Sequence, residues 1–161
     1  MATPSDWFAP AHATWSAGQR HKALQQLIDH FNQRPRPREA GLFKQISYYL
    51  FLLADYRSAS QILAQGHMEC PADEEIALNQ VVCLSRANDA AGSLAAGEAL
   101  AARGCLNPVL FDSLASSAAR LKRHDEAREH GSRALALKDK QHGGLALAKG
   151  WRLPAESPSA V

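Results

Sequence analysis

Four small residues recur along the chain at nearly even spacing: Ala23, Ala59, Gly92 and Ala127 stand 36, 33 and 35 residues apart. Each opens an amphipathic run behind a short turn, as in Gly18-Gln19-Arg20-His21-Lys22-Ala23, Ala54-Asp55-Tyr56-Arg57-Ser58-Ala59 and Lys122-Arg123-His124-Asp125-Glu126-Ala127, with Asn88-Asp89 making the turn before Gly92. Self-similarity at such a period restricts a chain to stacked copies of one supersecondary unit, none of which buries its apolar face alone. A position not used to set the register agrees with it. Sixteen residues before each small residue stand Trp7, Phe43, Ile76 and Phe111, all large and apolar. Twelve residues after come Pro35, Pro71, Gly104 and Asp139, residues that stop helices or are common at helix ends. Composition then identifies the unit: alanine fills 30 of the 161 positions and aromatics only 7%, with Val, Ile and Thr scarce, so the repeated element is helical rather than stranded.

In its period and in the placing of these residues the chain resembles the tetratricopeptide repeat family. The second copy is the fullest, from Ala40 through Phe43, Ile46, Ser47, Ala54-Asp55-Tyr56, Ala59 and Leu63 to Pro71, and the fourth carries Phe111, Leu114, Ala115, Ala127, Ala134 and Leu135. The first departs at Pro10, where a buried leucine belongs; its first helix is expected to begin near Ala9 or Pro10, leaving Trp7 in a lead-in segment. The third departs at Asn79 and Gln80, positions expected to be apolar and small. The resemblance implies an all-α, right-handed α-solenoid of antiparallel helix pairs at about 4–37, 40–71, 73–105 and 108–139. Small residues at Ala11, Ser47 and Ala115 would face Ala23, Ala59 and Ala127, letting backbones approach closely. Residues 142–151, containing Leu145-Ala146-Leu147-Ala148, are expected to form a capping helix, and the Pro/Ser/Ala stretch 152–161 a tail or linker.

Bulk properties remove several function classes. Net charge is +3 over residues 1–38, −5 over 39–100 and +4 over 101–161, which supplies no continuous basic face for nucleic acid. The longest apolar run, Tyr48 to Ala54, is seven residues, far short of the roughly 20 that span a bilayer. The N-terminus has no basic stretch followed by an apolar core, and three widely spaced cysteines, Cys70, Cys83 and Cys105, form no disulfide framework; a cytoplasmic protein is expected. Neither Cys-x2-Cys, His-x3-His nor His-Glu-x-x-His is present, and His124 and His130, six apart, lie about 240° from alignment on a helix, so no metal or other cofactor is expected. No Gly-x-Ser-x-Gly, Ser-x-x-Lys or phosphate loop occurs. Cys83 reads as a small core residue, and Cys70 and Cys105 as turn residues open to solvent. The chain is therefore expected not to be an enzyme.

What remains is the groove that the stack creates. In the resembled family the first helix of each pair lines a concave face. Carried over position by position, the partner-binding residues are Phe8, His12 and Trp15 in the first copy and Lys44, Tyr48, Phe51 and Leu52 in the second. The third contributes Leu78 and Val81, with Glu74, Ala77, Leu84 and Ser85 beside them, and the fourth Asp112, Ser116 and Arg120, with Val109, Ser113 and Ala119. Tyr48 is expected to be accessible because a phenol tip favours partial exposure, while Phe51 and Leu52 read equally as groove or core. Aromatic anchors beside a polar rim suit a protein or peptide segment. Lys44 and Arg120 alone do not make the several-cation clamp that binds acidic C-terminal tails. The reading is a non-catalytic protein-interaction scaffold. Alternatives are the N-terminal repeat region of a longer bacterial enzyme with a glycosyltransferase-like domain, to whose junction residues 128–139 and Trp151-Arg152-Leu153-Pro154 are similar, a type III secretion-type chaperone, and a module that pairs as a homodimer.

Overall fold

A computed structural model describes residues 4–140 of the chain, and among these it is 80% helical with no strand. Eight helices follow in order: α1 (Pro4–Ser16), α2 (Arg20–Gln33), α3 (Ala40–Leu52), α4 (Tyr56–Glu69), α5 (Glu74–Arg86), α6 (Ala90–Ala102), α7 (Pro108–Arg120) and α8 (His124–Lys140). Each packs on its sequence neighbours, and α3 also meets α5 and α5 meets α7, so the first helices of successive pairs lie side by side. This is a solenoid of antiparallel helix pairs. Residues 142–151 and 152–161 lie outside the described residues.

The turn within each pair is one structure built four times. A residue in the left-handed region closes each first helix: Gly18 (φ 85°), Ala54 (60°), Asn88 (63°) and Lys122 (60°). At every one of them its own amide donates to the carbonyl three residues back, and the next amide to the carbonyl five back, at 2.9–3.2 Å. That double bond is the Schellman closure, which satisfies carbonyls a helix end would otherwise leave open. The spacing of these residues is 36, 34 and 34, so the period is stricter in the backbone than in the side chains. The two surplus residues fall in the loop between α2 and α3, Arg34-Pro35-Arg36-Pro37-Arg38-Glu39. Asp55 and Asp89 then cap α4 and α6 by accepting from the amides of Ser58 (3.2 Å) and Gly92 (2.9 Å).

This turn corrects the register of the third copy. The fourth residue after each cap position is Ala23, Ala59, Ser93 and Ala127, whose amides donate to Gln19, Asp55, Asp89 and Arg123. The small slot of the third copy is therefore Ser93 and not Gly92. Ser93 is fully buried, and its hydroxyl donates to the Val81 carbonyl at 2.9 Å, so a polar residue fills the slot without an unpaired group. Gly92 instead holds the place of Ser58, and its amide donates to the capping Asp89 carboxylate as that of Ser58 does to Asp55. With the register moved by one, Asn79 falls level with Gln45 and Ser113, all polar, and the apparent departure at that residue disappears.

The beginning of the chain is also corrected. α1 runs from Pro4 with Pro10 inside it, and Trp7 is a core residue, 7% exposed, whose ring comes within 3.7 Å of where a Gly41 side chain would begin. A proline interior to a helix loses one backbone bond, and here an exposed edge of the helix carries that loss.

In the second, third and fourth pairs the core is filled by opposing sizes. Twelve residues before each cap position stand Trp7, Phe43, Ala77 and Phe111; facing them on the second helices are His30, Gly66, Leu100 and Ala134, equivalent by the same period. A Cβ on Gly66 would lie 2.9 Å from Phe43 Cγ, so the bare backbone of α4 is what admits that ring. Gly97 does the same between repeats, where a Cβ would meet Leu114 at 2.6 Å. Its equivalent one repeat on, Gly131, has nothing within 4 Å, and Leu135 nearby is 63% exposed: α8 presents the face that α6 covers with α7.

Candidate functional site

Equivalent positions of α5 and α7 line an open groove of about 370 Å³. From α5 come Val82, Ser85 and Arg86, and from α7 Val109, Asp112, Ser113, Ser116 and Arg120. Two pairs of lining residues, Val82 with Ser116 and Arg86 with Arg120, are 34 residues apart and so hold equivalent positions in successive repeats. The two arginines reach back along the stack alike. Arg86 lies 5.8 Å over the Phe51 ring, and Arg120 donates from Nη1 to the Ser85 carbonyl at 2.7 Å; Phe51 and Ser85 are themselves equivalent. Both arginines are exposed residues. Asp112 is neutralised by Lys138 of α8 at 2.8 Å.

The structure sorts the residues expected from sequence. Asp112, Ser116 and Arg120 lie together in the groove. Leu52 is exposed, Phe51 is half-buried against Tyr56 and under Arg86, and Phe8 and His12 are half-buried and stacked on each other 5.4 Å apart. Lys44 bridges α3 to the start of α5, 3.0 Å from Asp73 and 3.1 Å from Glu75. Burial alone would lower its pKa, but these carboxylates outweigh that and hold the ammonium above its ordinary value.

Four expected groove residues are core instead. Trp15 (8% exposed) stacks on Tyr49 at 4.0 Å, because the α1–α3 contact takes its whole face. Tyr48 (8%) is closed over where α3 packs on its neighbours, against the expectation that its phenol tip would keep it accessible. Val81 (1%) is buried because the true register of the third copy puts Val82, not Val81, level with Ser116; Leu78 (2%) is level with Lys44 and Asp112 but is an apolar residue drawn into the core. The same slip hid Val82 and Arg86. The signal that finds them was present: Asp55 and Asp89, the two capping aspartates, are 34 apart, whereas Ala59 and Gly92 are 33 apart.

Cysteine chemistry is also placed. Cys83 is fully buried, and burial pushes its thiol up to about 12. Cys105, expected in an open turn, is 1% exposed, and Cys70 is half-buried with its thiol donating to the Arg38 carbonyl. Burial raises the pKa of both, the opposite of what a reactive thiolate requires. Among the described residues no group of three His, Cys, Asp or Glu side chains could hold a metal, and no helix is long and apolar enough to cross a membrane.

No family model and no curated protein matches the chain. Solved structures do. MamA of MSR-1 superposes with a TM-score of 0.69 at 14% identity, covering 81% of this chain and 74% of that one. A further crystal structure of MamA gives 0.72 at 12%, covering 86% and 80%. The RS-1 MamA double mutant gives 0.72 at 16%, covering 88% and 78%. MamA is a protein of tetratricopeptide-repeat fold, and at these identities the likeness establishes that fold for the present chain.

Proposed function

We propose that the chain is a non-catalytic protein-interaction scaffold that holds a segment of a partner protein in the groove between α5 and α7. The observation that carries this reading is the composition of the groove: an apolar floor at Val82 and Val109, hydroxyls at Ser85, Ser113 and Ser116, and guanidiniums at Arg86 and Arg120, the last two at equivalent positions of successive repeats. Apolar contact beside arginine is the composition of surfaces that bind polypeptide. The sharing of charge supports it further, since Asp112 is paired with Lys138 while Arg86 and Arg120 are exposed residues without a carboxylate partner among the described residues of the groove.

Ser116→Trp, an exposed position, would fill the groove without touching the core. Wild type and variant, each immobilised, are exposed to extract of the cells that make the protein, and recovered proteins are quantified by mass spectrometry. At least one protein held by the wild type is expected to fall about tenfold or more on the variant, the loss of roughly 1.4 kcal/mol, with helicity unchanged by circular dichroism. Equal recovery on both removes the groove from the account.

A further inference from the structure

The third repeat differs from the other three at the position that most shapes the core. Trp7, Phe43 and Phe111 are buried rings; the equivalent residue of α5 is Ala77. Leu100, standing where α4 has Gly66, fills part of the space from the opposite helix. A cavity of about 280 Å³ remains, lined by Ala77, Ala96, Ala99 and Leu100 together with His67, Gln80 and Arg103. It lies on the far side of α5 from the groove: at 100° per residue, Ala77 and Gln80 are on the face opposite Val82, Ser85 and Arg86. Ala99 and Arg103 are exposed, so it opens to solvent between α4 and α6.

Its walls repeat what surrounds the rings elsewhere. Phe43 meets Phe31 edge-on at 5.2 Å, and His67 occupies the place of Phe31 one repeat on. Trp7 has His30 at 6.3 Å and Phe111 has His130 at 6.3 Å. Arg38 lies 5.6 Å over Phe43 and Arg133 4.8 Å over Phe111; here Arg103 stands at the rim. The His67 Nδ1 is buried and has no hydrogen-bond partner. An imidazole, a guanidinium and a floor of methyl groups thus enclose a space with no ring in it. An apolar cavity of about 150 Å³ is enough to take benzene, and edge-on and cation–π contacts favour a ring over an aliphatic side chain of the same size.

We propose that this cavity receives one aromatic side chain of a partner polypeptide, which completes the third repeat from outside in the way Phe43 and Phe111 complete theirs from within. A ring carried on a chain is favoured over a free aromatic acid because Arg103 is the sole cation of the lining with a permanent charge, and it already donates to the Pro71 carbonyl at 2.9 Å. The site is separate from the α5–α7 groove and stands whether or not that groove binds a partner.

The probes are N-acetyl-tryptophanamide, which mimics a tryptophan within a chain, and N-acetyl-tryptophan, which carries a free carboxylate, each titrated into the uniformly 15N-labelled protein. The amide probe is expected to shift the backbone signals of Ala77, Ala96 and Ala99 saturably, with N-acetyl-alaninamide causing no such shift. Ala77→Phe fills the cavity and is expected to weaken binding about tenfold or more. Because Leu100 crowds that ring, Ala77→Phe with Leu100→Gly copies the Phe43–Gly66 pair and provides a folded form with the cavity closed. No saturable shift at millimolar probe overturns the proposal. So does undiminished binding to the folded double variant, and binding of the carboxylate probe without the amide probe, which would mark the site as one for a free acid.

Discussion

Repeats 2 and 3 share one backbone and solve its packing in opposite ways. Repeat 2 puts the bulk on the first helix, Phe43, and strips the second to Gly66; repeat 3 strips the first to Ala77 and puts Leu100 on the second. Their second helices differ in sign as well. Glu69 ends α4 and accepts from Arg38, through Nε at 3.1 Å and Nη2 at 2.7 Å, whereas the equivalent Arg103 donates to the Pro71 carbonyl. Each clasps the loop that precedes its own pair, one with a carboxylate and the other with a guanidinium. Between these two repeats a bulky core residue and a clasp both recur, but the helix that supplies the bulk and the charge that makes the clasp differ, and in repeat 3 the bulk falls short by the cavity beside Ala77.

The strongest way to break this comparison is to remove the bulk from repeat 2. Phe43→Ala, at a fully buried ring, is expected to destabilise the protein by about 3–5 kcal/mol in urea unfolding. If size is exchangeable between helices, adding Gly66→Leu to it restores about half of that loss, although Gly66→Leu alone overpacks and costs about 1–3 kcal/mol. Simple addition of the two losses would show that the helices are not interchangeable partners.

A smaller effect separates the two clasps by pH. The Arg38 guanidinium beside it holds the Glu69 carboxyl below the ordinary carboxylate range. A carboxylate depressed in the native state contributes stability that is complete above its unfolded-state value of about 4.3 and is lost as pH falls through the lower native value. Glu69→Gln is therefore expected to flatten the fall of Tm between about pH 5 and about pH 2. Arg103→Gln is expected to leave that limb unchanged, since a guanidinium does not titrate there. Parallel acid limbs for wild type and Glu69→Gln would mean that the pair carries no net coupling to folding.

The smallest effect has the other sign. Ala54 and Asn88 occupy the same left-handed turn position, at φ 60° and 63°, but that region costs alanine more than asparagine. Ala54→Gly is expected to raise stability by about 0.5–1 kcal/mol and Asn88→Gly by less. Equal gains would show that the Schellman bonds, which are common to both turns, outweigh the side-chain difference.

The solenoid was legible because helix pairing leaves its mark at many residues at once: Ala23, Ala59 and Ala127 at the close approaches, and Trp7, Phe43 and Phe111 at the large positions. The groove was legible only where the copy was regular, as at Asp112, Ser116 and Arg120. In the third copy a glycine in the capping turn, Gly92, passed for the close-approach residue, while Ser93 hid its role by bonding to the Val81 carbonyl. One residue of slip turns a helix by about 100°, enough to exchange the groove-lining Val82 for Val81, which lines none of it. The burial of Trp15 and Tyr48 follows from a helix in the next pair, and the cavity beside Ala77 from a residue that is small where its equivalents are large; neither leaves a local signature.

The exchange of sizes also governs how such a chain can be shortened or recombined. Joining residue 54 to residue 89 would match two identical turns and remove one period, yet it would set Phe43 against Leu100, two large residues in a space built for one. Joining residue 39 to residue 74, in the loops between pairs, removes the same length and leaves every first helix with its own partner. The heritable module is thus the helix pair, bounded by loops. The turns, though uniform enough to be interchangeable in shape, are the places where the chain cannot be cut.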